Sequence, residues 1–195
     1  MRVRDENKKA IVCEKAMEMI VAKGFDGLSM QKLAKAAGVS PATIYIYFKS
    51  REDLLNQLFN DAHHTFSDVA LNGFDTSLSL ENGLWLQWKN RLRFITKYPV
   101  QFNFCEQFRS CCKVNHSDVK ILEFKETMQQ FVDNAVKRGE MKKMEPELFW
   151  SMAYGPFYSL VKFHLQQKSI TDTKFILTYA KMKTVFRMVL KGFKP

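Results

Sequence analysis

Between residues 28 and 55 the chain packs three helix starts around one tight turn, and this stretch constrains the fold more than any other. Ser29 stands just ahead of Met30, Leu33, Ala34 and Ala37, an apolar set at helical spacing, and is placed to cap it. Gly38 follows where the chain must reverse, in a conformation that costs glycine no Cβ clash, and the apolar Val39 anchors the turn. Ser40 opens a second helix with Pro41 at its first position, where a missing N–H costs nothing. Ile44 and Phe48, four apart, form its one apolar stripe; Ala42, Thr43, Ile46 and Tyr47 are left for the outer face. Ser50 begins a third helix, with Asp53 completing a variant capping box. Two short helices about a turn, the second slim on its outer face, form a helix-turn-helix pattern. A slim face admits a helix to the major groove. The hydroxyls of Thr43, Tyr45 and Tyr47, with Lys49 and Arg51, supply donors for base edges and phosphates. An ordinary core helix pair also ends on Gly and Ser. The full spacing Ala-x2-Ala-Gly-Val-Ser-x2-Thr-Ile-Tyr-x-Tyr-Phe favours DNA.

Together with Val12, Ala16, Met17, Ile20, Gly24 and Phe25, these residues resemble the amino-terminal quarter of the tetracycline-repressor (TetR) family of transcriptional regulators. The resemblance implies an all-α fold of about nine helices. A three-helix DNA-binding head would occupy residues 1–52, and a ligand-binding and dimerisation body 53–195. It places Gln31, Pro41, Ala42, Thr43 and Tyr47 against bases or sugars and Tyr45, Tyr47, Lys49 and Arg51 against phosphates, with Ser29 and Ser40 at the helix starts completing the DNA-facing set. The implied partner is double-stranded DNA with a near-palindromic operator. A homodimer would read it with helices about 34 Å apart, one turn of DNA. Pro41-Ala42 stands where the family frequently carries a basic residue and glycine, which removes one charge from the base-reading edge.

Composition agrees. Glycine (8) and proline (5) are sparse in 195 residues, which favours helices over a turn-rich β fold. A formal net charge of +10 fits a polyanionic partner, and residues 1–9 form a charged arm with Arg2, Arg4, Lys8 and Lys9. No apolar run reaches the about 18 residues of a membrane span, and the charged amino terminus lacks a signal-peptide segment, so a cytoplasmic protein is expected. The adjacent Cys111-Cys112 pair does not fit zinc-ligand spacing, and neither a metal nor a cofactor is expected. A thiol-redox regulator using Cys105, Cys111 or Cys112 is the alternative function, and Cys13 reads as a small buried apolar residue. Gly-x-Ser-x-Gly, His-Glu-x2-His and a phosphate-cradling glycine loop are all absent, so the chain is not read as an enzyme.

Helical periodicity predicts helices over about 7–23, 51–71, 79–97, 99–110, 117–138, 146–167 and 172–191, besides the reading pair. Thr171 or Asp172 should cap the last, Gly155-Pro156 should kink the eighth near Ala153, and 111–117 reads as a polar connection. Phe66, Trp85, Trp88, Phe102, Phe124, Met128, Phe131 and Tyr154 are candidates to line an apolar effector pocket. Glu106, Glu123, Glu126 and Asp133 lie near them in sequence and would suit a cationic or amphipathic ligand. The eighth and ninth helices are apolar on more than one face, and the resemblance implies that they pair between protomers; Phe157, Leu160, Val161, Phe175, Tyr179, Met182 and Phe186 are the candidate interface. The function expected is a repressor that a small, largely apolar ligand releases from its operator.

Overall fold

The structure, a computed structural model, describes residues 5–111 and 118–193. Among these residues there are nine α-helices, one 3-10 turn (Phe25–Gly27) and no strand. The helices are α1 (Glu6–Lys23), α2 (Met30–Ala37), α3 (Pro41–Tyr47), α4 (Arg51–Ala70), α5 (Leu80–Lys97), α6 (Pro99–Cys111), α7 (Val119–Lys137), α8 (Pro146–Gln166) and α9 (Tyr179–Phe193). The expected connection at 112–117, the side chain of Cys111, and Arg2 and Arg4 of the basic arm lie outside the described residues.

Local chemistry sets several of the helix ends. The Asp5 carboxylate accepts the backbone N–H groups of Asn7 and Lys8 at 3.1 and 3.4 Å and so starts α1. Ser29 Oγ accepts Lys32 N–H at 3.2 Å, and Ser40 Oγ accepts Thr43 N–H at 3.1 Å. Gly38 ends α2 at φ 67°, ψ 29°, and Val39 N–H then reaches back to Ala34 O at 3.0 Å, a Schellman closure. At the start of α4, Ser50 Oγ accepts Asp53 N–H at 3.1 Å while the Asp53 carboxylate accepts Lys49 N–H at 2.7 Å.

The last helix differs from expectation. α9 begins at Tyr179, not near residue 172. The residues expected to cap it serve a turn instead. Ser169 Oγ accepts the N–H groups of Thr171 and Thr173, both at 3.2 Å, and Ser169 N–H donates to Thr173 O at 2.8 Å. Asp172 lies within that turn in the left-handed region at φ 59°. Hydroxyls and short carboxylates compete with the helix for its own backbone, and here the turn wins. Thr178 is the effective cap, its Oγ1 accepting Lys181 N–H at 3.3 Å. α8 runs unbroken through Gly155 and Pro156.

Packing divides the chain into two compact units. The first runs up to Asp68 and takes in Phe94–Leu122; the second comprises Val69–Arg93 and the residues from Glu123 onward. Within the first unit a core cluster includes Val12, Ala16 and Ile20 of α1, Leu33 of α2, Ile44 and Phe48, Leu54 and Leu58 of α4, and Phe104 and Phe108 of α6. The rings of Phe59 and Phe108 stack at 4.6 Å. The second unit buries Trp88, Phe131, Tyr154, Phe157, Met182 and Phe186. Within it Gly83 of α5 lies directly under the Phe131 ring, where a Cβ would collide with the ring atoms. Phe131 is fully buried and has no room to yield. We therefore expect Gly83→Ala to destabilise the protein by about 1–3 kcal/mol in urea unfolding, although alanine is the better helix former.

Candidate functional site

α3 presents its outer face to solvent. Pro41, Ala42, Tyr45 and Ile46 are exposed, and so are Gln31 on α2 and Lys49 beyond the helix end. Thr43 is half-buried, and its hydroxyl hydrogen-bonds that of Ser40 at 2.9 Å. Ile44 and Phe48 are wholly buried, so the helix is seated on its apolar stripe and leaves its slim side free. Ser29 and Ser40 serve as helix caps, the role their position predicts.

Two of the expected DNA contacts carry internal duties. The Tyr47 hydroxyl donates to Asp5 O at 2.9 Å and accepts Asp5 N–H at 3.1 Å, which clasps the end of α3 to the start of α1. Arg51 Nη2 donates to Phe25 O at 2.6 Å, holding α4 to the 3-10 turn. Tyr47 thus holds α3 and Arg51 holds α4, and the freely exposed side chains of the set are Gln31, Pro41, Ala42, Tyr45 and Lys49. Tyr47→Phe should cost about 1 kcal/mol of head stability, read as a lower unfolding midpoint, because the clasp is lost with no change of shape. The Asp53 carboxyl is held below the usual carboxylate range, first by the Gln57 side-chain amide and then by Lys49 N–H. Its folded pKa lies below its unfolded one, so the cap supports the head above the unfolded value and is lost as pH falls through the folded one.

The second unit contains an open cleft of about 390 Å³ lined by α7, the start of α8 and the segment between them. Phe124, Met128, Val132, Met144, Phe149 and Trp150 form its apolar wall, and Lys125, Gln129 and Glu147 supply polar groups. Of the eight residues expected to line an effector pocket, Phe124 and Met128 are among its lining. Phe131 packs against Phe74 at 5.1 Å, Trp88 against Phe157 and Phe186, both at 5.3 Å, and Trp85 against Phe186 at 5.0 Å. Tyr154 is fully buried beneath the Arg91 guanidinium, 4.0 Å from its ring. In the first unit Phe66 meets Phe94 at 5.3 Å, and Phe102 is half-buried. The carboxylates offered by sequence do not face the cleft: Glu106, Glu123, Glu126 and Asp133 are all exposed on the outer sides of their helices, and the acid at the cleft is Glu147.

The candidate interface residues divide in the same way. Phe157, Val161, Met182 and Phe186 are buried within the protomer, while Leu160 and Phe175 keep partial exposure and Tyr179 is 61% exposed. Apolar surface on α8 and α9 comes instead from Leu148, Trp150, Met152 and Met188. Cys105 is buried, and burial pushes its thiol up to about 11, far from the thiolate a redox sensor needs. Among the described residues no group of three or more His, Cys, Asp or Glu side chains could hold a metal ion, and no helix is long and apolar enough to cross a membrane. Sequence reasoning missed three buried polar residues of α5, Gln87, Asn90 and Arg91, whose signal was polarity recurring inside an apolar helical stripe.

A rigidly capped helix pair with a slim exposed second helix defines a helix-turn-helix DNA-binding protein. Residues 12–58 match the family described as bacterial regulatory proteins, tetR family. An uncharacterised helix-turn-helix transcriptional regulator of Haemophilus influenzae is 31% identical over 101 residues, 49% of this chain and 54% of the relative, so the match spans about half of that relative's length. A TetR family transcription regulator from Marinobacter aquaeolei VT8 has the same fold with a TM-score of 0.83 at 29% identity, covering 99% of this chain and 98% of that one. The regulator FadR of Bacillus subtilis, solved in complex with stearoyl-CoA, matches with a TM-score of 0.68 at 22% identity, over 95% of this chain and 99% of that one. Residues 12–58 thus carry the tetR family match, and the fold of the chain is that of a TetR family transcription regulator.

Proposed function

We propose that the protein is a cytoplasmic repressor that binds a near-palindromic operator as a homodimer and is released by a small, largely apolar ligand. Residues 1–52 read DNA; residues 53–195 take the ligand and dimerise. The observation that carries this reading is the outer face of α3, where Pro41, Ala42 and Tyr45 are exposed on a helix whose other side is locked into the core. That face is narrow enough for the major groove, and Tyr45 and Lys49 stand ready for phosphates. Dimerisation through α8 and α9 is supported by the exposed Leu148, Met152, Tyr179 and Met188, apolar surface that a partner would cover. The Phe124–Met128–Trp150 cleft is the ligand site favoured here, and its aromatic and methionine walls suit an acyl chain better than a cation. FadR's complex with stearoyl-CoA makes that thioester the first probe to try.

The test is selection of bound DNA from a random pool at two salt concentrations, with Tyr45→Ala as the control because Tyr47 also holds the fold. A near-palindrome whose binding weakens in salt and in the control is the expected result. Failure to enrich any site, or enrichment of a single half-site, would count against the dimeric repressor.

A further inference from the structure

α5 carries a row of polar side chains where a core helix should be apolar: Gln87, Asn90 and Arg91 are 0%, 4% and 1% exposed. Burying such groups is costly unless each has a job, and their hydrogen bonds show the job. Gln87 Nε2 donates to Ala70 O at 2.8 Å, and Asn90 Nδ2 donates to Ala70 O at 3.0 Å and to Asn72 O at 2.9 Å. Ala70 is the last residue of α4, so its carbonyl is one of those the helix cannot satisfy itself. Two side-chain amides of α5 therefore close the carboxy-terminal end of α4.

The next residue reaches α8 instead. Arg91 Nη1 donates to the Tyr158 hydroxyl at 2.9 Å, and its guanidinium lies 4.0 Å from the Tyr154 ring centre and 4.9 Å from that of Trp150. Trp150 is a wall of the cleft. Gln87 and Arg91 are four apart, on one face of one helical turn, so the two sets of contacts adjoin on α5. α4 itself is a single helix of about 30 Å that begins at Arg51, just after α3 ends at Tyr47.

We propose that Gln87 and Asn90 are positioning residues for DNA binding: a latch on the end of α4 that Arg91 ties to the cleft wall at Trp150. Displacing Trp150 loosens the latch, and α4 carries the change toward the reading helix. The link from cleft to latch rests on the cleft being the effector site; the latch on α4 does not, and the two are tested apart.

The experiment uses the full chain carrying Gln87→Met with Asn90→Leu, changes that keep side-chain volume and remove the donors. Asn90→Ser alone is the milder variant should the double one fail to fold. Affinity for the selected operator is measured without any ligand, beside hydrogen exchange at residues 66–74 and the unfolding midpoint. A latch predicts faster exchange at those amides and operator binding at least fivefold weaker, in protein that is fully folded at the assay temperature. Operator affinity within twofold of the parent in folded variant protein overturns the latch, since a merely structural role lowers the midpoint alone. A second arm adds stearoyl-CoA as the probe. If it binds and weakens the parent's operator affinity, the double variant should bind it equally well yet lose at least two-thirds of that effect on a logarithmic scale; full retention overturns the cleft link. If stearoyl-CoA does not bind the parent, the link to an acyl-binding cleft is overturned, and the ligand-free arm still decides the latch.

Discussion

Ala42→Glu should abolish operator binding while leaving the protein as stable as its parent or slightly more so. Ala42 occupies the second position of α3 and is exposed. There a carboxylate meets the positive end of the helix dipole, which favours the helix by a few tenths of a kcal/mol. The same carboxylate, on the face proposed to enter the major groove, would add bulk and bring a negative charge toward phosphates. Like-charge juxtaposition at an interface costs several kcal/mol, and about 3 kcal/mol is already a loss above a hundredfold. The opposite signs make the result readable: thermal unfolding and circular dichroism report an intact head, while fluorescence anisotropy with the selected operator reports lost binding at fixed salt. Ala42→Ser, which adds one small hydroxyl, should bind within a few-fold of the parent. Retention of affinity in Ala42→Glu would mean that α3 does not enter the groove by this face.

The head could be read in advance because its signals are local. Ser29, Gly38, Ser40 and Asp53 act on backbone groups only a few residues away, and each does in the structure what its position implies. Where the signal needs a distant partner, the reading falters. The Tyr47 hydroxyl looked free for DNA, but its partner Asp5 is 42 residues away in sequence. The apolar periodicity of α8 and α9 was real, yet periodicity does not say which surface a stripe meets. Phe157 and Phe186 meet Trp88 of the same chain, and with Val161 and Met182 they fill a core. The start of α9 was misplaced for another reason. Ser, Thr and Asp favour helix caps and hydroxyl-built turns alike, and the choice at Ser169–Thr173 depends on where the chain must go next. Gln87 and Asn90 were visible as polar interruptions, but only the coordinates show them meeting the end of α4.

Trp88→Ala should produce the largest loss of stability in the second unit. The side chain is fully buried and packs its ring against Phe157 of α8 and Phe186 of α9, with both centroids 5.3 Å away. Its Nε1–H also donates to Ala153 O at 2.8 Å. That bond falls where α8 is weakest. Pro156 has no N–H to offer Met152 O, and the proline ring crowds the same turn, so a side-chain donor at the neighbouring carbonyl braces the helix where the ladder is broken. Truncation to alanine leaves a cavity among three helices and removes the brace, a cost of about 3–5 kcal/mol. Trp88→Phe separates the two effects: it keeps most of the ring contact, loses the bond, and should cost about 1–2 kcal/mol. Urea unfolding followed by circular dichroism measures both. If the phenylalanine variant were as unstable as the alanine one, the brace on α8 would outweigh the packing. If both were mild, α5 would not be what holds α8 and α9 together. Because those helices carry the exposed apolar face proposed to dimerise, the alanine variant should also dissociate at higher protein concentration than its parent in analytical ultracentrifugation.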